Sequence, residues 1–152
     1  MADKLQFELV SPEKLLLSQP VAMVVVPGSE GNFGVLPGHA LLISTVRPGV
    51  IDVYADEQAK ISQSIFVAGG FAEVTPERCT VLADEAVPIS SLDRGELDQQ
   101  QKTLDAEVAS LQDQVARVQG AEREAAAAAL GAAERRRAVA QAKLAALSAA
   151  AH

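Results

Sequence analysis

The sequence has few of the residues from which enzyme and metal sites are built. Its 152 residues include one cysteine, Cys79, and two histidines, His39 and His152. A single cysteine excludes an internal disulfide, and so few Cys and His side chains exclude a Cys/His zinc site. Neither histidine has a serine or cysteine nucleophile beside it in a triad pattern. We therefore predict a protein that is not an enzyme and that carries no cofactor and no metal.

Positive charge is also scarce. Twenty acidic side chains against 13 basic ones give a net charge of −7. Nucleic-acid binding needs a surplus of Lys and Arg on one face, so we predict no nucleic-acid partner. No apolar run is long enough to span a bilayer, and the first residues lack a secretory signal pattern. We expect a soluble protein of a reducing compartment.

Proline and aromatic residues are missing from the C-terminal part of the chain. All seven prolines lie between Pro12 and Pro88, and the last aromatic residue is Phe71. Alanine fills 16 of the last 32 positions. Proline-free, alanine-rich sequence favours helix, whereas frequent proline and glycine favour strands broken by turns. We predict two domains, residues 1–88 and residues 89–152.

Short β-favouring runs fill the first predicted domain, with turn residues between them. The runs are residues 5–10, 21–26, 41–46, 49–54, 61–67, 71–74 and 79–83. No segment of helical period separates them, and this spacing is typical of a small antiparallel sandwich or barrel. The glycine-rich stretch 28–34 lacks the Lys-Ser or Lys-Thr of a phosphate-binding loop, so we interpret it as a tight turn between strands.

Helical periodicity begins after Pro88. Apolar residues recur at spacings of seven, four and three from Leu97 onward, as on one face of a packed helix. Ser90 or Ser91 is the predicted N-cap, and Gly120 is the predicted break. A second helix is expected from about Glu122, with a mostly alanine apolar face. The predicted fold class is α+β in two segments, an antiparallel β-sandwich followed by an antiparallel two-helix hairpin.

The second predicted helix carries the one basic cluster of this acidic chain. Its members are Arg123, Arg135, Arg136 and Arg137. Three consecutive arginines spread around a helix, so one or two of them must lie near the alanine face. Two interpretations remain open: a solvated helix face, or a docking strip for an acidic segment of a partner.

Four blocks of the first domain resemble a known family. They are LVSPE (9–13), VPGSEGNFGVLPGHALL (26–42), GGFAEV (69–74) and VLADEA (81–86). In this order they are similar to the ε subunits of bacterial F-type ATP synthases, whose mitochondrial counterpart is called δ. The resemblance covers residues 5–88. It implies a ten-stranded β-sandwich followed by two C-terminal helices.

This resemblance implies a role without catalysis of its own. Subunits of this family belong to the central stalk of the rotor, where they bind the γ subunit and the c-ring loops. They couple rotation of the c-ring, which proton transport drives, to the catalytic head. In many bacteria the helices also extend toward the catalytic β and α subunits and inhibit ATP hydrolysis. The implied location is peripheral, at the cytoplasmic face of the bacterial plasma membrane, with membrane contact only indirectly through the complex.

The resemblance also implies roles for individual residues, carried over position by position. The implied c-ring-facing loop is Ser29, Glu30, Gly31 and Asn32. The implied γ-facing residues are Pro37, Gly38 and His39, with Ser11 expected on the same side. The inhibitory contact is expected to involve Arg123, Arg135, Arg136 and Arg137.

Two further expectations concern ligands and the alternative function. Relatives that bind ATP between the two helices carry an Asp and an Arg where this chain has Ala127 and Leu130. We therefore predict no tight ATP site. The alternative reading of the whole chain is a free-standing adaptor, a β-sandwich binding module with a helical arm for another partner.

Overall fold

The computed structural model describes residues 4–56 and 60–150, so His152 lies outside the described residues. The chain divides into two compact units, Met1–Ser91 and Leu92–His152. Strands form the first unit and two helices form the second. The predicted fold class, a β-sandwich followed by a two-helix hairpin, is confirmed.

The first unit is built on ten strands. They are β1 (Leu5–Val10), β2 (Leu15–Val21), β3 (Met23–Gly28), β4 (Gly31–Val35), β5 (Leu42–Val46), β6 (Gly49–Tyr54), β7 (Gln63–Val67), β8 (Gly70–Val74), β9 (Arg78–Ala83) and β10 (Ala86–Pro88). Their pairing order is β10-β7-β6-β3-β5-β8-β9-β1-β2, and β4 pairs with β3. Successive side chains of a strand face opposite sides, so one side of every long strand can line a common core.

The core of this unit consists of large aliphatic and aromatic side chains. The following are at most 1% exposed: Leu5, Phe7, Val21, Val24, Val26, Val35, Ile51, Val53, Val67, Val74 and Val81. They belong to one cluster, and they come from eight strands: β1, β2, β3, β4, β6, β7, β8 and β9. Cys79 belongs to the same cluster, as expected of a small apolar side chain in a strand.

Three strands and one pairing depart from the sequence analysis. Strands β2, β4 and β10 are absent from the seven predicted runs, although the family resemblance implies ten. β1 pairs antiparallel with β2 but parallel with β9, so the sandwich is not purely antiparallel. A run of β-favouring residues predicts a strand but not whether the neighbouring strand is parallel or antiparallel to it. That direction depends on how the connecting segments bring the two strands together.

The second unit contains α1 (Arg94–Arg117) and α2 (Gly120–Ala150). The buried side chains of α1 are Leu97, Leu104 and Val108, and those of α2 are Ala126, Ala133, Ala140 and Ala146. The predicted seam and the alanine face are therefore where the two helices meet. Gly120 has a φ of +62°, which an L-residue adopts at a steric cost, so the predicted break lies at this glycine.

The first helix starts later than predicted. Ser90 and Ser91 lie in a short 3₁₀ turn, Ile89–Ser91, and do not cap α1. The cap is Asp93, whose Oδ1 accepts the backbone N–H groups of Gly95 at 2.8 Å and Glu96 at 3.3 Å. A carboxylate at this position also interacts favourably with the positive end of the helix dipole.

Candidate functional site

The glycine-rich stretch forms the tight turn between β3 and β4. Gly28 pairs with Gly31, so Ser29 and Glu30 occupy the tip, where both are exposed. Gly31 has a φ of +137°, a conformation available to glycine. A Cβ on Gly28 would lie 2.9 Å from the Gly31 carbonyl oxygen and 2.9 Å from the Phe33 ring. Both glycines are therefore required by the shape of this turn.

Arg47, which follows β5, makes contacts at both ends of this turn. Its guanidinium donates to the Gly28 carbonyl oxygen at 2.5 Å and to Asn32 Oδ1 at 2.7 Å. Its backbone N–H donates to the Pro27 carbonyl at 2.9 Å, and the Ser29 N–H donates to the Thr45 carbonyl at 3.0 Å. The turn is thus attached to the end of β5, and the sequence analysis missed this role of Arg47.

A second turn contains Pro37, Gly38 and His39. The Gly38 N–H donates to the Pro76 carbonyl at 2.7 Å, and the His39 N–H donates to the Leu36 carbonyl at 3.1 Å. His39 Nδ1 lies 2.7 Å from the carbonyl oxygen of Ala40, which can only accept, so this nitrogen donates. The histidine is therefore engaged in local turn structure.

Ser11 lies at the other end of the sheet from this second turn. It follows Val10, which pairs with Leu82 through the β1–β9 register. Leu42, close after His39, is in register with Val74, and Val74 with Cys79, at the opposite end of these strands. The expectation that Ser11 shares the γ-facing side with Pro37–His39 stays a prediction; along the strands, Ser11 lies at the end where the Ser29–Asn32 turn lies.

An exposed apolar row connects these features, and we call it the apolar strip. It consists of Leu15, Val10, Leu82 and Phe71, which are consecutive cross-strand partners on β2, β1, β9 and β8. Leu15 is 54%, Leu82 51% and Phe71 56% exposed. Phe71 in turn pairs with Thr45, whose carbonyl accepts from Ser29. The strip therefore runs from the strand end near Ser11 toward the Ser29–Asn32 turn.

The apolar surface extends diagonally from the strip toward His39. Ile43 lies two residues before Thr45 on the same face of β5, so it is a diagonal neighbour of Phe71. Ile43 is 75% exposed, and Leu41, between it and His39, is 77% exposed. Exposed apolar side chains in one continuous surface are typical of a protein–protein interface. No single strand reveals this surface, because it arises from the pairing of five strands.

The basic cluster of α2 is divided within the hairpin. Arg136 donates to Glu107 of α1 at 2.7 Å, and Arg137 lies 3.8 Å from Asp105 of α1. Two of the three consecutive arginines thus face the first helix, as the helical geometry predicts. Among residues 4–56 and 60–150, Arg123 and Arg135 make no ion pair, and both are exposed.

Reactive groups are few in the described part of the chain. Cys79 is completely buried, and this burial raises the pKa of its thiol from 9.0 to about 12. The thiol is therefore protonated and shielded at neutral pH. Within residues 4–56 and 60–150, no three His, Cys, Asp or Glu side chains are placed to hold a metal ion. None of the helices described there has the length and hydropathy needed to cross a membrane.

Comparison with known proteins gives consistent matches. Residues 4–89 match the family model described as ATP synthase, Delta/Epsilon chain, beta-sandwich domain. The chain is 74% identical over 92 residues to the ATP synthase epsilon chain of Rhodospirillum centenum, covering 60% of this chain and 63% of that protein. It is 64% identical over 92 residues to the protein of the same name from Rhodospirillum rubrum, covering 60% and 67%. The matched stretch thus spans about two thirds of the length of these relatives.

A solved structure is similar over nearly the whole chain. It is a chain of the Euglena gracilis mitochondrial ATP synthase, in a cryo-EM structure of OSCP, F1 and the c-ring. The TM-score is 0.66, the alignment covers 98% of this chain and 82% of that chain, and the sequence identity is 24%. At this identity the similarity concerns the fold.

Proposed function

The chain belongs to the ATP synthase delta/epsilon family, and from this membership we propose that it is a non-catalytic central-stalk subunit of a proton-translocating F-type ATP synthase. In this proposal it couples rotation of the c-ring to the catalytic head through the γ subunit. Residues 1–88 supply the attachment, and residues 89–152 form a regulatory arm. The chain is then peripheral at the cytoplasmic face of the bacterial plasma membrane, held there by the complex.

The observation that carries this proposal is the apolar strip. Leu15, Leu82 and Phe71 are each more than half exposed, in a row that crosses four strands. Burial of such side chains by a partner contributes roughly 25 cal/mol for each Å² removed from water. A long apolar face suits attachment to another protein, which we propose is γ.

The two turns at opposite ends of the sheet suit two different partners. Glu30, at the tip of the first turn, is exposed and makes no ion pair among the described residues. We assign the Ser29–Asn32 turn to the polar loops of the c-ring. Ser11 and the Pro37–His39 turn lie at the two ends of the apolar surface that runs through Ile43 and Phe71. We assign both of them to the contact with γ.

Attachment is tested with a catalytic head that contains γ but lacks this chain. The intact chain is added back, and co-elution on a sizing column measures binding. Phe71→Ser and Leu82→Ser are expected to weaken binding by at least tenfold each. Ile61→Ser is the matched control, since Ile61 is 50% exposed in the same unit but outside the strip. Unchanged binding of both strip variants would contradict the proposed attachment face.

We also propose that the hairpin inhibits ATP hydrolysis through its basic cluster. Arg123 and Arg135 support this role because they are exposed on α2 and make no ion pair within the described residues. Arg136 and Arg137 face acidic residues of α1, so they become available to catalytic β or α subunits only when the two helices separate.

Inhibition is tested on the same head, by measuring ATP hydrolysis before and after add-back. The intact chain is expected to slow hydrolysis, and a chain ending at Ser91 is expected to bind without slowing it. Arg135→Ala combined with Arg136→Ala and Arg137→Ala should relieve inhibition. Arg117→Ala is the control, since Arg117 pairs with Asp113 on its own helix at 2.9 Å. If the triple variant inhibits as strongly as the unaltered chain, the cluster is not the contact.

The absence of a tight ATP site remains part of the proposal. Ala127 and Leu130 lie on α2 in place of a carboxylate and a guanidinium, and neither side chain can bind phosphate or ribose through charge. Calorimetry of the chain with Mg-ATP should give no heat of binding at millimolar nucleotide. A measurable dissociation constant at or below that range would contradict the prediction.

A further inference from the structure

We propose that Arg47 is the positioning residue of the Ser29–Asn32 turn, holding the turn in one conformation so that Glu30 meets its partner preorganised. Three donors of this one residue contact the chain on both sides of the tip. The backbone N–H bonds to Pro27, and the guanidinium bonds to Gly28 and to Asn32. The identity of the partner, the c-ring, rests on the proposed function, whereas the role of Arg47 within the chain does not.

The guanidinium of Arg47 connects the two strands on either side of the turn. Gly28 is the last residue of β3, and Asn32 lies in the first part of β4. A planar guanidinium presents several N–H donors in fixed directions, so one side chain can fix the separation of two acceptors. A lysine has a single ammonium group, and it would not reproduce both bonds with the same geometry.

The acceptors of Arg47 are neutral, which matters for the charge of the turn. The two groups that it contacts are a backbone carbonyl and an amide oxygen. Glu30 is not among them, so the carboxylate at the tip is left for an outside partner. Arg47 therefore orders the turn without pairing with the one charge that the tip presents.

Besides the β3–β4 ladder, in which Gly28 pairs with Gly31, few bonds hold the tip. Two backbone hydrogen bonds attach the turn to the end of β5 and the residue after it, from Ser29 N–H to Thr45 and from Arg47 N–H to Pro27. Loss of the guanidinium would therefore loosen the tip while the β-sheet and the core remain intact. Ordering a flexible loop on binding costs affinity, and a turn that is already ordered avoids that cost.

The test uses the full chain and two readouts. The first is the hydrogen-exchange rate of the Ser29 amide, whose N–H donates to Thr45 and so reports on attachment of the tip. We expect Arg47→Ala to raise this rate about tenfold or more, the scale of one charged hydrogen bond. Arg47→Lys should give an intermediate rate, and Asn32→Ala a smaller increase than Arg47→Ala. The double variant should add little to Arg47→Ala, because the two residues share a bond.

Arg78→Ala is the matched control for exchange. Arg78 is an exposed arginine of the same unit, bound to Glu8 at 3.3 Å and remote from the turn in the strand register. It should leave the Ser29 amide unchanged. If Arg47→Ala and Asn32→Ala also leave that amide unchanged, Arg47 does not position the turn, and the inference is overturned.

The second readout is the number of protons pumped per ATP hydrolysed by the assembled enzyme. Arg47→Ala is expected to lower this ratio, and Arg47→Lys to restore part of it. If Arg47→Ala loosens the turn but leaves this ratio unchanged, Arg47 positions the turn within the chain but does not contribute to coupling. In that case the assignment of the turn to the c-ring, and not the role of Arg47 in the fold, would fail.

Discussion

The two units of the chain bury very different side chains, although both follow regular apolar patterns. The core of the sandwich is made of Phe, Ile, Leu and Val residues that are almost completely inaccessible. The hairpin buries three large residues of α1 against four alanines of α2. Burial of an alanine removes far less apolar area from water than burial of a leucine. We infer that most of the stability of the chain resides in the sandwich.

This difference suggests why the two units suit different tasks. A sandwich with a dense core keeps its exposed features in fixed positions, which the proposed coupling role requires. A hairpin with an alanine face can open at a small cost in apolar burial, and isolated helices gain little stability from propensity alone. The hairpin is therefore the part of the chain suited to a regulated change of shape.

The largest expected effect comes from breaking the sandwich at one glycine. Gly70 has a φ of +141°, and a Cβ there would lie 1.8 Å from the Leu82 carbonyl oxygen in the neighbouring strand. Gly70→Ala should therefore destabilise the sandwich by about 3 kcal/mol or more. Urea unfolding followed by circular dichroism measures the change.

Gly34→Ala is the matched control for this variant. A Cβ on Gly34 would meet only Met23 Sδ, at an ordinary 3.8 Å, and its φ is not positive. This variant should change the free energy of unfolding by no more than about 0.5 kcal/mol. Similar urea midpoints for the two variants would contradict the steric argument at Gly70.

The hairpin should respond to a change that spares the sandwich. Leu104 is 5% exposed in the seam of α1, and Leu104→Ala should cost the hairpin about 2 kcal/mol. Hydrogen exchange should become faster at amides throughout α1 and α2, while amides of β8 and β9 keep their rates. Gln112→Ala, at an exposed position of α1, is the control. Equal acceleration in the strands would contradict the separate stability of the two units.

The fold was more accessible from the sequence than its details were. Runs such as Leu5–Val10 and Gly49–Tyr54 alternate clearly, and both are strands with the predicted bounds. Strand β2 carries Pro20 and three consecutive leucines, which break the alternation that identifies a half-buried strand. Strand β4 contains two glycines and was absorbed into the predicted turn. In both cases the pairing with a neighbour, and not the local pattern, makes the strand.

The candidate site was only partly accessible, for the same reason. The Ser29–Asn32 turn follows from local glycine chemistry and was predicted as a turn. The apolar strip depends on the registers between β2, β1, β9 and β8, which no local pattern encodes. Arg47 is 19 residues from Gly28 and 15 from Asn32. Its role becomes visible only when β5 is placed beside β3.

Alkaline pH should weaken the sandwich through Cys79. Burial raises the pKa of this thiol from 9.0 to about 12 in the folded chain. Between these values the unfolded chain loses a proton that the folded chain retains, so stability falls as pH rises. The slope is about 1.4 kcal/mol per pH unit, and about that much should be lost near pH 10. In Cys79→Ala this contribution should be absent, although the variant is less stable at pH 7 because of the cavity it leaves.

The comparison of Cys79→Ala with the unaltered chain therefore gives a clear signature. In urea unfolding at pH 7, 9 and 10, the unaltered chain should have the larger free energy of unfolding at pH 7. Its advantage over Cys79→Ala should become smaller above pH 9. A difference that stays constant over this range would mean that the thiol ionises in the folded chain as easily as in the unfolded one. The exchange rates of the hairpin amides, corrected for the intrinsic effect of pH, should not depend on this residue.

The smallest expected effect concerns the ion pairs that link the two helices. Arg136 and Glu107 lie 2.7 Å apart, but their side chains are 55% and 41% exposed, so water and salt screen the attraction. In a double-mutant cycle with Arg136→Ala and Glu107→Ala, the coupling energy should be below about 1 kcal/mol and should shrink in high salt. Helix amide exchange measures it, with Arg117 and Asp113 as a pair that does not cross the hairpin. A weak coupling would mean that Arg136 can exchange Glu107 for an acidic residue of another protein. A coupling energy of several kcal/mol would instead hold Arg136 against α1 and contradict its availability for inhibition.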